Sequence, residues 1–239
     1  MGRIIGETAP KSKGGALSPA QSNASITHRV RSVLAIRPFR RLWGVTYLCS
    51  IGDWLGMLAL AGLATKLSEN YAMQNFAFSG VVLTQLLPGL LFAPIGGLLA
   101  DRFDRRKVMV VCDLMRCLLF MSIAFVGTTL WLFIANFLIG CCALMWIPSK
   151  DAAVPNLLRR KDQVETANQL SLVMTWGISV ISGAGLYAMV TGVISQLHVR
   201  FDERGLGIAS VIVVINGLLF LVSAILVATR IPELSHRPV

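Results

Sequence analysis

Apolar and polar positions along this chain are sorted into long blocks. Six mostly apolar runs stand out, at 42–65, 76–100, 108–126, 129–147, 166–194 and 207–228. About 20 such residues in a helix span the hydrocarbon core of a bilayer, so the pattern predicts six transmembrane helices. Barrel strands would instead alternate polar and apolar over about ten residues each, and no such alternation is present. The expected fold class is an all-α membrane protein. Polar segments set the remaining organisation: 1–41 as a basic, disordered cytoplasmic tail, 42–229 as the six-helix unit and 230–239 as a cytoplasmic end. The tail has no apolar stretch of the kind a cleaved signal requires. Its last part, 32–41, suits the membrane surface, with Pro38 limiting any helix there.

Composition agrees with a membrane protein. Residues are 55% hydrophobic and 14% charged, against roughly 25% charged for a soluble domain. The net charge of +10 is mostly a matter of topology. Eighteen Lys and Arg flank the spans on the side of the N-terminus, and only Lys66, Arg200 and Arg204 lie on the other side. The positive-inside rule then predicts that both termini are cytoplasmic. Anionic headgroups account for the basic excess, so no nucleic-acid partner is expected. The bilayer is the first partner implied.

Chemistry-bearing residues are few. The five cysteines, Cys49, Cys112, Cys117, Cys141 and Cys142, all fall within predicted spans with no CxxC spacing, and the three histidines form no cluster. Neither a metal site nor a cofactor is expected, and the chain has no GxxxxGK[ST] phosphate loop. No enzymatic activity is expected. Trp43, Trp131, Trp146 and Tyr71 lie near span ends and read as interfacial anchors, a reading that fits Trp54 and Trp176 less well.

Charges inside the membrane carry more information. Asp53 lies mid-span between Gly52 and Gly56. A carboxylate at that depth costs roughly 2.5 to 3.5 kcal/mol on insertion scales and must face a cavity, find a partner or stay protonated. That makes it a coupling or substrate candidate, with a hydrogen-bonded packing residue as the alternative. Asn136 is a weaker candidate of the same kind. Asp113 and Arg116, three residues apart, share a helix face and are expected to form an intramembrane ion pair.

Between the second and third runs lies a charged hairpin, Gly97, Leu98, Leu99, Ala100, Asp101, Arg102, Phe103, Asp104, Arg105, Arg106, Lys107. Gly89, Ala93, Gly97 and Asp101 recur every four residues, a stripe that lets helix backbones approach closely in lipid and ends in a carboxylate. The hairpin resembles the signature G-x-L-a-D-R-x-G-R-R of major facilitator superfamily transporters, departing from it at Asp104, where the family usually has glycine. Phe39 to Leu42, and Pro148, Pro155, Asn156, Ala167 and Asn168, resemble the branch of siderophore and drug exporters, and more narrowly actinobacterial transporters fused to a thymidylate-kinase-like domain. Pro155 is expected to break a helix. Asp162 and Glu165 are placed to start the fifth span at its positive end. The fifth span has no Gly-Pro motif, unlike that of many proton antiporters.

The resemblance implies a fold of two inverted three-helix repeats, here one six-helix half whose substrate site forms against a second half. A short echo supports the repeat: residues 102–106 (RFDRR) against 200–204 (RFDER). It also implies a conformational latch at Gly97, Asp101, Arg102, Arg105 and Arg106. The expected function is small-molecule export by alternating access in the bacterial cytoplasmic membrane, with a small-molecule substrate and a second half, from the same longer chain or another copy, as partners. The alternatives are a membrane anchor for a fused or partner catalytic domain, or a fragment that does not transport. A self-sufficient channel is disfavoured because no helix carries a continuous polar stripe.

Overall fold

The computed structural model describes the backbone of residues 19–68, 70–158, 160–196 and 207–231, and the side chains of these apart from 19–26 and 93–102. Every element is helical: α1 (Pro19–Leu34), α2 (Arg37–Lys66), α3 (Tyr71–Arg102), α4 (Arg105–Val126), α5 (Thr129–Leu157), α6 (Lys161–Val173), a π-helical turn (Met174–Ile178), α7 (Ser179–Gln196) and α8 (Gly207–Arg230). Among the described residues, six helical stretches are long and apolar enough to cross a membrane, with α6, the π turn and α7 acting as one.

The spans start and stop where local chemistry dictates. α2 begins at Arg37, five residues before the expected start. Pro38 sits in its first turn, where a missing N–H costs nothing and the fixed φ favours the helix. Pro38 therefore opens a helix. Within the segment expected to be a disordered tail, Pro19–Leu34 is helical, and Val33 is buried in one cluster with Phe39 and Leu42. α4 starts at the N-cap Asp104, whose carboxylate accepts from the N–H groups of Arg106 and Lys107 at 3.0 and 3.2 Å. It ends at Gly127, with φ 61°, a left-handed cap that glycine adopts without strain.

α5 departs most from expectation. It passes through Pro148 and Pro155 and ends at Leu157, ten residues beyond the predicted boundary. Each proline removes one backbone hydrogen bond. Burial of Ser149, Ala153 and Val154 holds the turns between them. At 29 residues the helix is about 43 Å long and projects beyond the hydrocarbon. α6 starts at Lys161 with Asp162 in its first turn, as the placement of acidic residues suggested.

The packing pattern repeats. α2 lies against α8 as α5 lies against α4, α7 lies against α2 as α3 lies against α5, and α4 and α8 pack on each other. Exchanging α2 with α5, α3 with α7 and α4 with α8 leaves this pattern unchanged. Three crossings separate each matched pair, so the matched helices run in opposite directions. Tight approach depends on glycine. A Cβ at Gly56 would lie 2.6 Å from Asn216 Nδ2 and 2.9 Å from Phe120 Cζ, and one at Gly183 would lie 2.7 Å from the Cβ of Trp54. The stripe on α3 behaves differently. A Cβ at Gly89 meets nothing within 4 Å, whereas Pro88 beside it lies against Gly140 of α5, so the Gly89 face of α3 is turned away from that contact.

Candidate functional site

Where α2, α4 and α8 meet, the bundle has a polar centre. Arg116 on α4 is 1% exposed. Its Nη1 lies 3.4 Å from Oδ1 of Asp53 on α2, and its guanidinium carbon lies 5.0 Å from the ring centre of Phe220 on α8. Phe220 stacks on Phe120 at 5.6 Å. Asp113, fully buried one turn before Arg116, accepts a 2.6 Å hydrogen bond from Ser223 on α8. Cys49 on α2 approaches Ser223 at 2.9 Å. Three helices are therefore joined through charged and hydroxyl groups at membrane depth. There an unmet polar group is costly, yet Arg116 Nε and both amide atoms of Asn216 on α8 are buried without a hydrogen-bond partner among the described residues.

This arrangement corrects the expected ion pair. Asp113 and Arg116 do share a face of α4. However, the ion pair that Arg116 forms is with Asp53, and Asp113 takes Ser223 as its nearest donor. The arginine is long enough to cross to α2. The shorter aspartate accepts from Ser223 on α8 and, at 3.8 Å, from the Cys49 thiol on α2.

Asp53 has a second side. Its side chain is 42% exposed and opens into a cavity of about 440 Å³ between α2, α5 and α6, whose lining includes Ser50, Trp146, Lys150, Asp151, Thr175 and Trp176. Lys150 and Asp151 pair at 2.8 Å. The π turn places Trp176 69% exposed in this lining, edge-on to Trp54 at 6.0 Å, and the Trp54 indole N–H donates to the Thr175 carbonyl at 3.1 Å. Trp146, expected as an interfacial anchor, is instead 4% exposed against the cavity.

Asn136 does not reach the cavity. Its Nδ2 donates to the Val81 carbonyl and to Thr84 Oγ1, both at 2.8 Å, which cross-links α5 to α3. Both N–H donors of its amide are taken up by α3.

At the hairpin end, arginines hold helix carbonyls. Arg105 Nη1 donates to the Ala152 carbonyl at 2.7 Å, Arg106 Nη2 donates to the Ala228 carbonyl, and Arg41 Nη1 donates to the Arg230 carbonyl at 2.9 Å. The last carbonyls of α8 have no partners within the helix and carry the negative end of its dipole, so guanidinium groups suit them. The side chains of Gly97, Asp101 and Arg102 lie outside the described residues.

Sequence reading missed Ser223, Cys49 and Asn216. A signal existed on α8, because Asn216 and Ser223 are seven residues apart and so occupy one face of an otherwise apolar helix. Asp104 was read only as a departure from a signature. Its position directly before the helix start, in a residue type favoured as an N-cap, marked the role it has.

Six membrane-crossing helices, a repeated packing pattern and a cavity flanked by an intramembrane ion pair define a transporter-type membrane bundle. The family described as transmembrane secretion effector matches residues 31–223, and the chain belongs to that family, among the major facilitator superfamily transporters. It is 30% identical over 116 residues to the uncharacterized MFS-type transporter YfiS of Bacillus subtilis, covering 46% of this chain and 26% of that protein. It is 32% identical over 161 residues to the uncharacterized MFS-type transporter Mb0038c of Mycobacterium bovis, covering 64% and 35%. It is 28% identical over 187 residues to the Bacillus subtilis protein named "Putative bacilysin exporter BacE", covering 76% and 41%. The chain thus spans well under half the length of these relatives.

Proposed function

We propose that this chain is the N-terminal half of a small-molecule exporter of the bacterial cytoplasmic membrane, working by alternating access with a second six-helix half. The observation that carries this reading is the cavity between α2, α5 and α6, with Asp53 open to it and held from behind by buried Arg116. Its volume lies in the range of small-molecule sites. Two helices support the pairing. On α3 and α7, Gly89, Gly185 and Gly192 each meet nothing within 4 Å. Large apolar side chains beside them, Leu86 and Leu90 on α3 and Ile181 on α7, are 66%, 82% and 76% exposed. Such small-residue faces suit close packing against other helices in a membrane.

In this reading Asp53 is the group that meets substrate or carries the coupled proton, and the hairpin from Gly97 through Asp101 and Arg102 to Arg106 is the latch between conformations. Both termini face the cytoplasm, and the protein is a transporter without enzymatic activity. The test is flux. Liposomes holding the chain with a second half should show saturable, substrate-driven transport, and liposomes holding the chain alone should hold their gradients. Flux by the chain alone, or an Asp53→Asn pair that transports as well as the unaltered one, would overturn the reading.

A further inference from the structure

The cavity has a chemical polarity that narrows its substrate, an inference that rests on the transport reading above. The Asp53–Arg116 pair is asymmetric, with the carboxylate 42% exposed and the guanidinium-bearing side chain 1% exposed. Only the negative end of the pair faces the cavity. Among the described lining residues, the other two charges are Lys150 and Asp151, which neutralise each other at 2.8 Å. An anion entering the cavity therefore meets a carboxylate first and no unpaired cation. Beside Asp53 stand two hydroxyls, Ser50 and Thr175, themselves 3.5 Å apart, which accept from an N–H group as readily as water does.

Aromatic surface completes the pattern. Trp176 and Trp146 both line the cavity. The exposed Trp176 ring stands edge-on to Trp54, whose indole N–H donates to the carbonyl of the adjoining Thr175. Indole faces attract cations and stack on flat rings. A carboxylate and an indole lining one cavity select for positive charge next to a flat apolar group.

We propose that the substrate carries an amine or quaternary ammonium group that lodges at Asp53, joined to an aromatic or similarly flat portion that lies on Trp176. Arg116 is the positioning residue that holds the carboxylate at the cavity wall, and it does not itself touch the substrate.

Equilibrium dialysis of the full 239-residue chain in lipid nanodiscs with radiolabelled benzyltrimethylammonium tests this. Saturable binding is expected, weakened about tenfold or more in Asp53→Asn through loss of the charge-assisted contact and about fivefold in Trp176→Leu through loss of the cation–π contact. Trp176 is exposed, so its replacement leaves the bundle intact and keeps the test informative if Asp53→Asn folds poorly. Phenylacetate and benzyl alcohol at equal concentration should not displace the probe. Displacement by phenylacetate, unchanged binding in both variants, or no saturable binding would each overturn the proposal. Flux is read separately, in liposomes holding the chain with its second half. Ammonium binding without flux of any solute would overturn the transport reading and leave the cation site standing. Flux of an anionic solute, without ammonium binding, would do the reverse.

Discussion

Arg116 crosses from α4 to Asp53 on α2 at 3.4 Å, and in doing so it leaves Asp113, its neighbour on the same helix, to Ser223 on α8 at 2.6 Å. Asp53 thus ties α2 to α4, and Asp113 ties α4 to α8 through Ser223 and to α2 through the Cys49 thiol. The two acids differ in exposure, and that difference orders the effects of substitution.

Arg116→Met should be the most damaging single change in the polar centre. It leaves the half-open Asp53 carboxylate without its paired cation and removes the contact over Phe220. A loss of about 3 kcal/mol is expected, the lower end for breaking a buried pair, because Asp53 is partly hydrated. Asp53→Asn should cost about 1 kcal/mol. The double variant should be more stable than the two losses added together, since removing both partners strands no charge. Melting of the four purified proteins in one detergent measures this cycle.

Ser223→Ala should cost about 1 to 3 kcal/mol by stranding the Asp113 carboxylate, and adding Asp113→Leu should recover part of it by removing the stranded group. Denaturant titration of the single and double variants is the measurement. Equal stability of Ser223→Ala and the unaltered protein would show that the 2.6 Å contact carries no net energy.

Arg41→Gln and Arg106→Gln remove guanidinium donors to the Arg230 and Ala228 carbonyls. Faster hydrogen exchange confined to the last turn of α8 is expected, by a factor of about five to ten for a contact worth about 1 kcal/mol. Exchange mass spectrometry of peptides covering that turn, with α5 peptides as an internal control, reads it directly.

Gly56→Ala should destabilise by about 1 to 3 kcal/mol, because its methyl group would overlap Asn216 and Phe120. Gly185→Ala on α7 meets nothing within 4 Å and should be neutral or stabilising by up to about 1 kcal/mol from helix propensity. Thermal melts of the isolated chain compare them. In the paired transporter Gly185→Ala should lose its advantage if that face packs on the second half.

Placing single cysteines at Ser68 and Ser195, in a background without the five native ones, should give sites labelled from the extracytoplasmic side by a membrane-impermeant maleimide, following the distribution of Lys and Arg. Labelling of both from the cytoplasmic side only would invert the topology.

The sequence by itself determined the class, the six crossings and the presence of an intramembrane acid. These follow from short-range physics: about 20 apolar residues must span a bilayer as a helix, and a carboxylate such as Asp53 at that depth requires a partner or a cavity. The resemblance carried by the hairpin identified the family for the same reason, because its motif is continuous along the chain. Only the tertiary structure decided which partner each buried group takes. Arg116 pairs with a residue 63 positions away, Asp113 with one 110 positions away and Asn136 with the α3 backbone 55 positions back. Helix periodicity fixes which face a side chain occupies, but it cannot tell which helix that face meets, since any apolar helix could stand opposite in lipid. Likewise Pro155 reads as a break and lies within α5, and Trp146 reads as an anchor and lines the cavity, because packing against neighbouring helices outweighs a local preference of a few kcal/mol.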